Sequence, residues 1–238
     1  MDGILLINKP IGWTSFEVVN KVRSIIKQSN LASGNKKRYP VGHSGTLDPL
    51  ATCLLIVLIG SYTKRSLEFG KLDKTYEFTI KLGQTSTTGD EEGNKTTLSD
   101  FRPANAQIRQ VLNGFKGQIE QIPPIFSAIK INGQPAYKLA RKGQSVQLAP
   151  RTVHINSIKL VSYHYPLVEI EAYVSSGTYI RSLAEDIGTA LKTGAYTVSL
   201  RRTSIGQFNV LSAANPQSLI VKDIVSQLKV LNLPEQIK

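Results

Sequence analysis

The sequence predicts an α+β fold built on a central, mixed and mostly antiparallel β-sheet flanked by helices and loops. Three observations predict it. Lys74 to Leu82 alternates, with Tyr76, Phe78, Ile80 and Leu82 on one face, and Val153 to Val161 and Val168 to Val174 alternate in the same way, as half-buried strands do. Ile129-Lys130-Ile131 runs into Asn132-Gly133, a tight-hairpin signal, because both turn residues tolerate positive φ. Helical stretches are interspersed with the strands, yet the hairpins and alternation favour antiparallel pairing over a doubly wound sheet.

Taken in chain order, Ile4 to Ile7 reads as a short buried strand, broken by Lys9-Pro10 and Gly12. Thr14-Ser15-Phe16-Glu17 fits a capping box, and Val18, Val22, Ile25 and Ile26 follow at helical spacing. Gln28 to Arg38, rich in Asn, Ser, Gly and Lys, reads as a loop, and Gly83 to Asn94 as a second polar loop. Ala104 to Leu112 has a helical pattern. Tyr137 to Lys142 reads as a short helix closed by Gly143. Thr178 to Leu191 carries helical periodicity through Ile180, Leu183 and Ile187, and a weaker helix is expected from Gln217 to Leu228, behind Pro216. No internal repeat and no linker divides the chain.

Charge narrows the partner. Of 238 residues, 29 are Lys or Arg against 17 Asp or Glu, a net +12 that calls for a polyanion. The longest apolar run, Leu54 to Ile59, is far too short to span a bilayer, and no basic amphipathic helix offers a membrane surface instead. The N-terminus lacks the basic region and cleavage site of a signal peptide. Cys53 is the one cysteine, so no intrachain disulfide forms, which suits a reducing cytosol. His43, His154 and His164 have no zinc-type spacing around them, so no metal site is expected.

Three segments could carry chemistry. In Gly42-His43-Ser44-Gly45-Thr46-Leu47-Asp48-Pro49-Leu50-Ala51-Thr52, Asp48-Pro49 alone is equally an ordinary helix start, since Asp caps helices and Pro favours the first helical position. The glycines are too close together for a GxSxG nucleophile elbow, and no GxxxxGK[ST] phosphate loop occurs in the chain. Tyr76 is either a core aromatic or a ring that stacks on an extruded base, its hydroxyl available for proton chemistry. In Ser176-Gly177-Thr178-Tyr179-Ile180-Arg181-Ser182-Leu183, the glycine before a helical pattern is either a plain turn or a phosphate site, and Arg181 is either solvated or the partner of a buried carboxylate.

Together these segments resemble the bacterial tRNA pseudouridine-55 synthases, the TruB-type family. The likeness runs through the Gly42–Thr52 loop, Lys74-Thr75-Tyr76, Leu82-Gly83-Gln84-Thr85 with Asp90, Ile122-Pro123-Pro124-Ile125-Phe126-Ser127-Ala128-Ile129-Lys130, Tyr137, Ala140-Arg141, the Ser176–Leu183 segment and Leu200-Arg201-Arg202-Thr203, in order and spacing from about Gly3 to Arg202. The resemblance implies a pseudouridine-synthase fold, a catalytic domain over 1–210, and a short extension over 211–238 in place of the PUA-type RNA-binding domain many relatives carry. It implies that Asp48 is the essential carboxylate, that His43 takes the space of a flipped uridine, and that Tyr76 stacks on the target base and abstracts a proton. Arg181 would pair with the catalytic carboxylate, and Tyr179 and Leu200 would line the uracil pocket. It further implies a cofactor-free cytoplasmic isomerase acting on the T-arm of tRNA, monomeric, without an obligate protein partner. Whether the carboxylate adds covalently or acts as a base in an elimination stays open, and a non-catalytic RNA-binding module shares every feature except reliance on Asp48. Cys53 departs from the family, which usually has glycine there; where that glycine's backbone geometry or close packing matters, Cys53 perturbs the helix expected after the catalytic loop, and tolerance is expected because the site residues themselves are present.

Overall fold

The computed structural model describes residues 1–32, 34, 37–131, 133–144 and 146–230. In chain order the elements are β1 (Gly3–Lys9), α1 (Ser15–Ala32), β2 (Val41–His43), β3 (Thr52–Ile59), a 3-10 turn (Gly60–Arg65), α2 (Ser66–Gly70) and β4 (Lys74–Leu82). Next come β5 (Gln84–Ser86), β6 (Lys95–Thr97), α3 (Asn105–Gly114), β7 (Gly117–Gln121), β8 (Lys130–Ile131), β9 (Gln134–Pro135) and α4 (Ala136–Arg141). The chain ends through β10 (Arg151–His164), β11 (Leu167–Val174), α5 (Ile180–Ala190), β12 (Ala195–Ile205), β13 (Phe208–Asn209), a second 3-10 turn and α6 (Val221–Gln227). The main sheet is mixed and mostly antiparallel, as expected, with β12 and β3 as a parallel pair.

By contacts the chain forms two compact units, residues 1–76 with 201–238, and residues 77–200. In the first, β3 pairs antiparallel with β1 over Gly3↔Ile59 to Lys9↔Cys53, and its other edge takes β2 and then, in parallel, β12 at Arg201↔Thr52 and Arg202↔Cys53. Both faces of this ladder are covered. Leu5, Ile7, Cys53, Leu55, Val57 and Ile59 pack with Val18, Val22 and Ile26 of α1 and with Leu219 and Ile224, whereas Ile4, Leu6, Leu54, Ile56 and Leu58 pack with Tyr62, Phe69, Phe208 and Val210. Two-sided burial explains why Leu54–Ile59 reads as an unbroken apolar run rather than as an alternating one. Each such side chain contributes roughly 1.5–3 kcal/mol by leaving water. The 211–230 segment belongs to this unit. Ala214 N–H donates to Leu6 O and Lys229 N–H to Ile4 O, both at 2.9 Å, so it lies along β1.

The capping box forms as read: Thr14 N–H donates to Glu17 Oε2 at 2.6 Å, and Glu17 N–H to Thr14 Oγ1 at 3.1 Å. The helix then runs to Ala32, five residues into the segment expected to be a loop. Propensity of the polar residues is weak, and the apolar stripe ending at Ile26 had already fixed the helix against the sheet.

The second unit holds β4 (from Glu77), β11, β10 and β7 in that order, with α3 and α5 packed at 2% exposure or less through Ile108, Leu112, Leu183 and Ile187. The polar loop Gly83–Asn94 is partly a correction, because β5 pairs with β6 across it (Gln84↔Thr97 to Ser86↔Lys95). Neither strand alternates in hydrophobicity, so no periodic signal marked them. The expected hairpin forms between β8 and β9, and Asn132 lies outside the described residues.

Candidate active site

The Gly42–Thr52 loop leaves β2 at His43 and returns as β3. Ser44 N–H still donates to Ile56 O at 3.1 Å, and Gly45 then turns the chain at φ +108, a conformation open to glycine at little steric cost. Leu47 N–H donates to Ser15 Oγ at 3.2 Å, which ties the loop to the start of α1. Asp48–Ala51 is a turn, closed by Ala51 N–H to Asp48 O at 3.0 Å, and leads directly into β3. The helix-start reading of Asp48-Pro49 is therefore corrected, as is the expected helix after Cys53. The apolar run that follows is a strand covered on both faces.

Lys9 fastens this turn from beneath. Its fully buried ammonium donates to Trp13 O at 2.7 Å, Pro10 O at 3.1 Å and Pro49 O at 3.5 Å, while Gly12 N–H donates to the same Pro49 carbonyl at 2.8 Å. Burial lowers the Lys9 pKa, and the Cys53 and Asp48 groups pull it back up. Asp48 itself is half-buried, and its charge is felt at both Lys9 and Tyr76.

Tyr76, in β4, is 5% exposed. Burial raises its phenol pKa, the Cys53 and Asp48 groups push the same way, and the Arg202 guanidinium opposes them by charge and by a side-chain hydrogen bond. Arg202 is 1% exposed. It donates from Nε to Leu54 O at 3.0 Å and from Nη2 to Gly45 O at 3.5 Å, with Nη2 3.9 Å from Cys53 Sγ. His43 is half-buried near the same cation. Burial and the Arg202 charge lower its pKa, against a Gly45 backbone hydrogen bond, so the imidazole is neutral at neutral pH. Among the described residues its Nδ1 has no hydrogen-bond partner.

In the second unit, Tyr179 and Arg181 occupy the start of α5. The Gln121 side chain brackets the Tyr179 backbone, donating from Nε2 to Tyr179 O at 3.0 Å and accepting Tyr179 N–H at Oε1 at 2.7 Å. Arg181 donates to Phe126 O at 2.8 Å, Thr88 O at 3.1 Å and Asp90 Oδ2 at 3.2 Å. Gly89 lets that loop close on α5, since a Cβ there would meet Glu185 Oε1 at 2.8 Å. Leu200 is half-buried in β12. The structure thus gathers His43 and Tyr76 around Arg202, sets Asp48 by Lys9 and Tyr76, and places Tyr179 next to Arg181. Among the described residues, no group of three or more His, Cys, Asp or Glu side chains could hold a metal, and no helix is long and apolar enough to cross a membrane.

Residues 33–180 match a family model described as TruB family pseudouridylate synthase, N terminal domain. The chain belongs to that family. A protein of Parabacteroides distasonis named tRNA pseudouridine synthase B is 42% identical over 217 residues, 91% of each chain. One of the same name from Burkholderia mallei is 41% identical over 219 residues, 92% of this chain and 69% of the relative. Among solved structures, a chain of a Cbf5-Nop10-Gar1 complex aligns with a TM-score of 0.67 at 28% identity, over 94% of this chain and 54% of its own length. This TruB-family chain thus spans about half of that solved relative.

Against the TruB pattern, sequence reasoning passed over three site residues. Arg202 was visible only as part of the Leu200–Thr203 match, and a lone Arg in a strand carries no signal of burial. Lys9 was read as a strand breaker with Pro10. Gln121 gave no signal at all; its role follows from β7 ending against α5.

Proposed function

We propose that this protein isomerises uridine to pseudouridine in the T-loop of tRNA, at uridine-55, by extruding the nucleotide and using Asp48 as the essential carboxylate. Membership of a pseudouridylate synthase family supports the reaction class. The observation that carries the site is Asp48 in a turn fixed by Lys9, Gly12 and Ser15, within electrostatic reach of the Tyr76 phenol.

In the reaction the N1–C1′ bond breaks, the uracil turns, C5 bonds to C1′, the C5 proton leaves to a base and N1 takes up a proton. Asp48 serves as nucleophile or as base at the sugar. Extruding the base costs a few kcal/mol. Stacking on Tyr76, typically worth about 1–3 kcal/mol, and His43 in the vacated space offset that cost. Arg181 pairs with Asp48 and keeps it ionised, Tyr179 and Leu200 line the uracil pocket, and residues 1–210 form the catalytic domain. The net charge of +12 meets the tRNA backbone. The enzyme works in the cytoplasm as a monomer without an obligate protein partner.

The test is incubation with unmodified tRNA carrying C5-tritiated uridine, with site-resolved detection of pseudouridine. Tritium release by the parent, at the T-loop uridine, and none by Asp48→Asn is the expected result. Release by Asp48→Asn at near-parental rate removes Asp48 from the mechanism. Tight tRNA binding without release by the parent makes the chain a binding module instead.

A further inference from the structure

Three large apolar side chains, Ile11, Trp13 and Phe16, fall in one short stretch of the first unit. Trp13, like Leu47, packs against the core shared by α1 and β3. Ile11 and Phe16 stay outside it, 65% and 61% exposed. Phe16 does no work for its helix, whose cap is made by Thr14 and Glu17 and whose buried side is Ser15, Val18, Val19, Val22, Ile25 and Ile26. Scattered exposed apolar residues are ordinary on a protein surface, so exposure alone says little. The position of these two says more. Two hydrogen bonds bracket Asp48: Leu47 N–H donates to Ser15 Oγ at 3.2 Å, and Gly12 N–H donates to Pro49 O at 2.8 Å. Ser15 is the chain neighbour of Phe16, and Gly12 that of Ile11. Each anchor of the Asp48 turn therefore carries an exposed apolar side chain at an adjacent position. The backbone bearing Ile11 is itself fastened, because Lys9 Nζ donates to Pro10 O at 3.1 Å and to Trp13 O at 2.7 Å, on either side of it.

We propose that Ile11 and Phe16 form an apolar contact for the bases of the substrate RNA that flank the extruded uridine, Phe16 by stacking and Ile11 as a wedge. The inference rests on the function proposed above and deepens it by naming what holds the RNA beside its target. A loop that has turned one nucleotide out leaves the neighbouring bases without a stacking partner on one face. Aromatic rings and aliphatic wedges such as isoleucine cover such faces. The net charge of +12 favours this occupant over a second copy of the chain, which would bring like charge to like. Because the backbone on both sides of Asp48 is hydrogen-bonded to the residues next to Ile11 and Phe16, a base seated on them is held at a fixed place relative to that turn. Pre-organisation of this kind lowers the ordering cost of binding.

The test measures binding and conversion of an unmodified T-arm stem-loop by Ile11→Ser, Phe16→Ser and the double variant, with Phe16→Trp as the conservative exchange. Both side chains are exposed, so urea midpoints should stay at the parental value. Each serine variant should bind the stem-loop at least ~5-fold more weakly and the double variant at least ~20-fold, at the low end of what base–aromatic stacking gives, while Phe16→Trp keeps the parental affinity. The slope of log Kd against log salt should not change, since no phosphate charge is neutralised by either residue. With 2-aminopurine in place of a nucleotide flanking the target uridine, the parent should quench its fluorescence more than Phe16→Ser does. Parental affinity in the double variant overturns the proposal, and a double variant that also dissociates a parental dimer in sedimentation makes the patch an interface between copies instead. A loss of affinity that appears only as a shallower salt slope overturns it as well, because the contact is then to phosphate. A parent that binds but converts no uridine, with serine variants that bind more weakly, overturns the functional reading and leaves the RNA contact of Ile11 and Phe16 standing.

Discussion

Arg181 donates to Asp90 Oδ2 at 3.2 Å, with the two side chains 9% and 11% exposed. The same guanidinium reaches the Thr88 and Phe126 carbonyls, so it joins three segments of the second unit: the Ser86–Asp90 turn, the stretch after β7, and α5. Removing one partner of such a pair leaves an uncompensated charge and costs about 3–5 kcal/mol. Arg181→Met is therefore expected to lower stability by that amount in urea unfolding. Below the unfolding transition it should also lower tRNA turnover far more than tRNA affinity. Asp90→Asn should share the first loss but retain most of the turnover. Equal losses of turnover and affinity in Arg181→Met would assign Arg181 to substrate binding.

Cys53 is fully buried in β3, and burial raises its thiol pKa while Arg202 and Lys9 pull it down. Only the thiolate attacks disulfide reagents, and here neither solvent nor reagent reaches it. The folded protein should react with an aromatic disulfide at pH 8 at least ~100-fold more slowly than in denaturant, where one thiol per chain appears. Cys53→Gly restores the residue the resemblance expects, yet should destabilise by about 1–2 kcal/mol, because glycine in a strand interior gives up backbone entropy and leaves a small void. A variant as stable as the parent would mean that the ladder closes over the gap.

Patterned elements were legible in the sequence: α1, β4, β10, β11 and α5 each carry a pattern of period 2 or 3.6, β1 is a short apolar run, and each forms where expected. Asp48-Pro49 misled, because cap chemistry is local and cannot register that Thr52–Ile59 is claimed by β1, β2 and β12. β5, β6 and β7 were hidden for the opposite reason, being short and polar. In the candidate site, the residues with motif signals are those the sequence could name, whereas Lys9, Arg202 and Gln121 are held by burial and hydrogen bonds that depend on distant strands. No spacing rule reports that Arg202 lands beside Cys53.

His43 gives an independent check on the loop. Its pKa is lowered, chiefly by burial and next by the Arg202 charge, so its midpoint in the folded protein should lie below the usual ~6.5 for imidazole. The sign follows. The unfolded chain binds the proton more readily, so this group favours folding above ~6.5 and loses that contribution as pH falls through the folded midpoint. Imidazole NMR, with His43→Gln for assignment, should show the low midpoint, and Arg202→Gln should move it upward. A His43 midpoint above ~6.5 would contradict the burial assigned to this side chain.

Lys74 extends the same logic to alkaline pH. Its ammonium donates to Gly70 O at 2.9 Å and Leu72 O at 2.5 Å, but burial and then the Arg202 charge lower its pKa from 10.5 to about 8, against the pull of Asp73. Because the folded midpoint lies below the unfolded one, the unfolded state binds more protons between about pH 8 and 10.5. The unfavourable burial of charge is therefore present in full below pH 8 and is relieved as pH rises through that window. The raised pKa values of Cys53 and Tyr76 act in the opposite sense above their own unfolded midpoints, so the clearest interval is pH 7.5 to 9. Lys74→Met removes the titration while keeping the stem length. The parent should gain stability relative to Lys74→Met as pH rises across this interval, by about 1 kcal/mol as judged from urea midpoints at matched ionic strength. A constant difference between the two proteins across the interval would show that Lys74 keeps an ordinary ammonium, and that the Leu72 and Gly70 carbonyls fully replace its water.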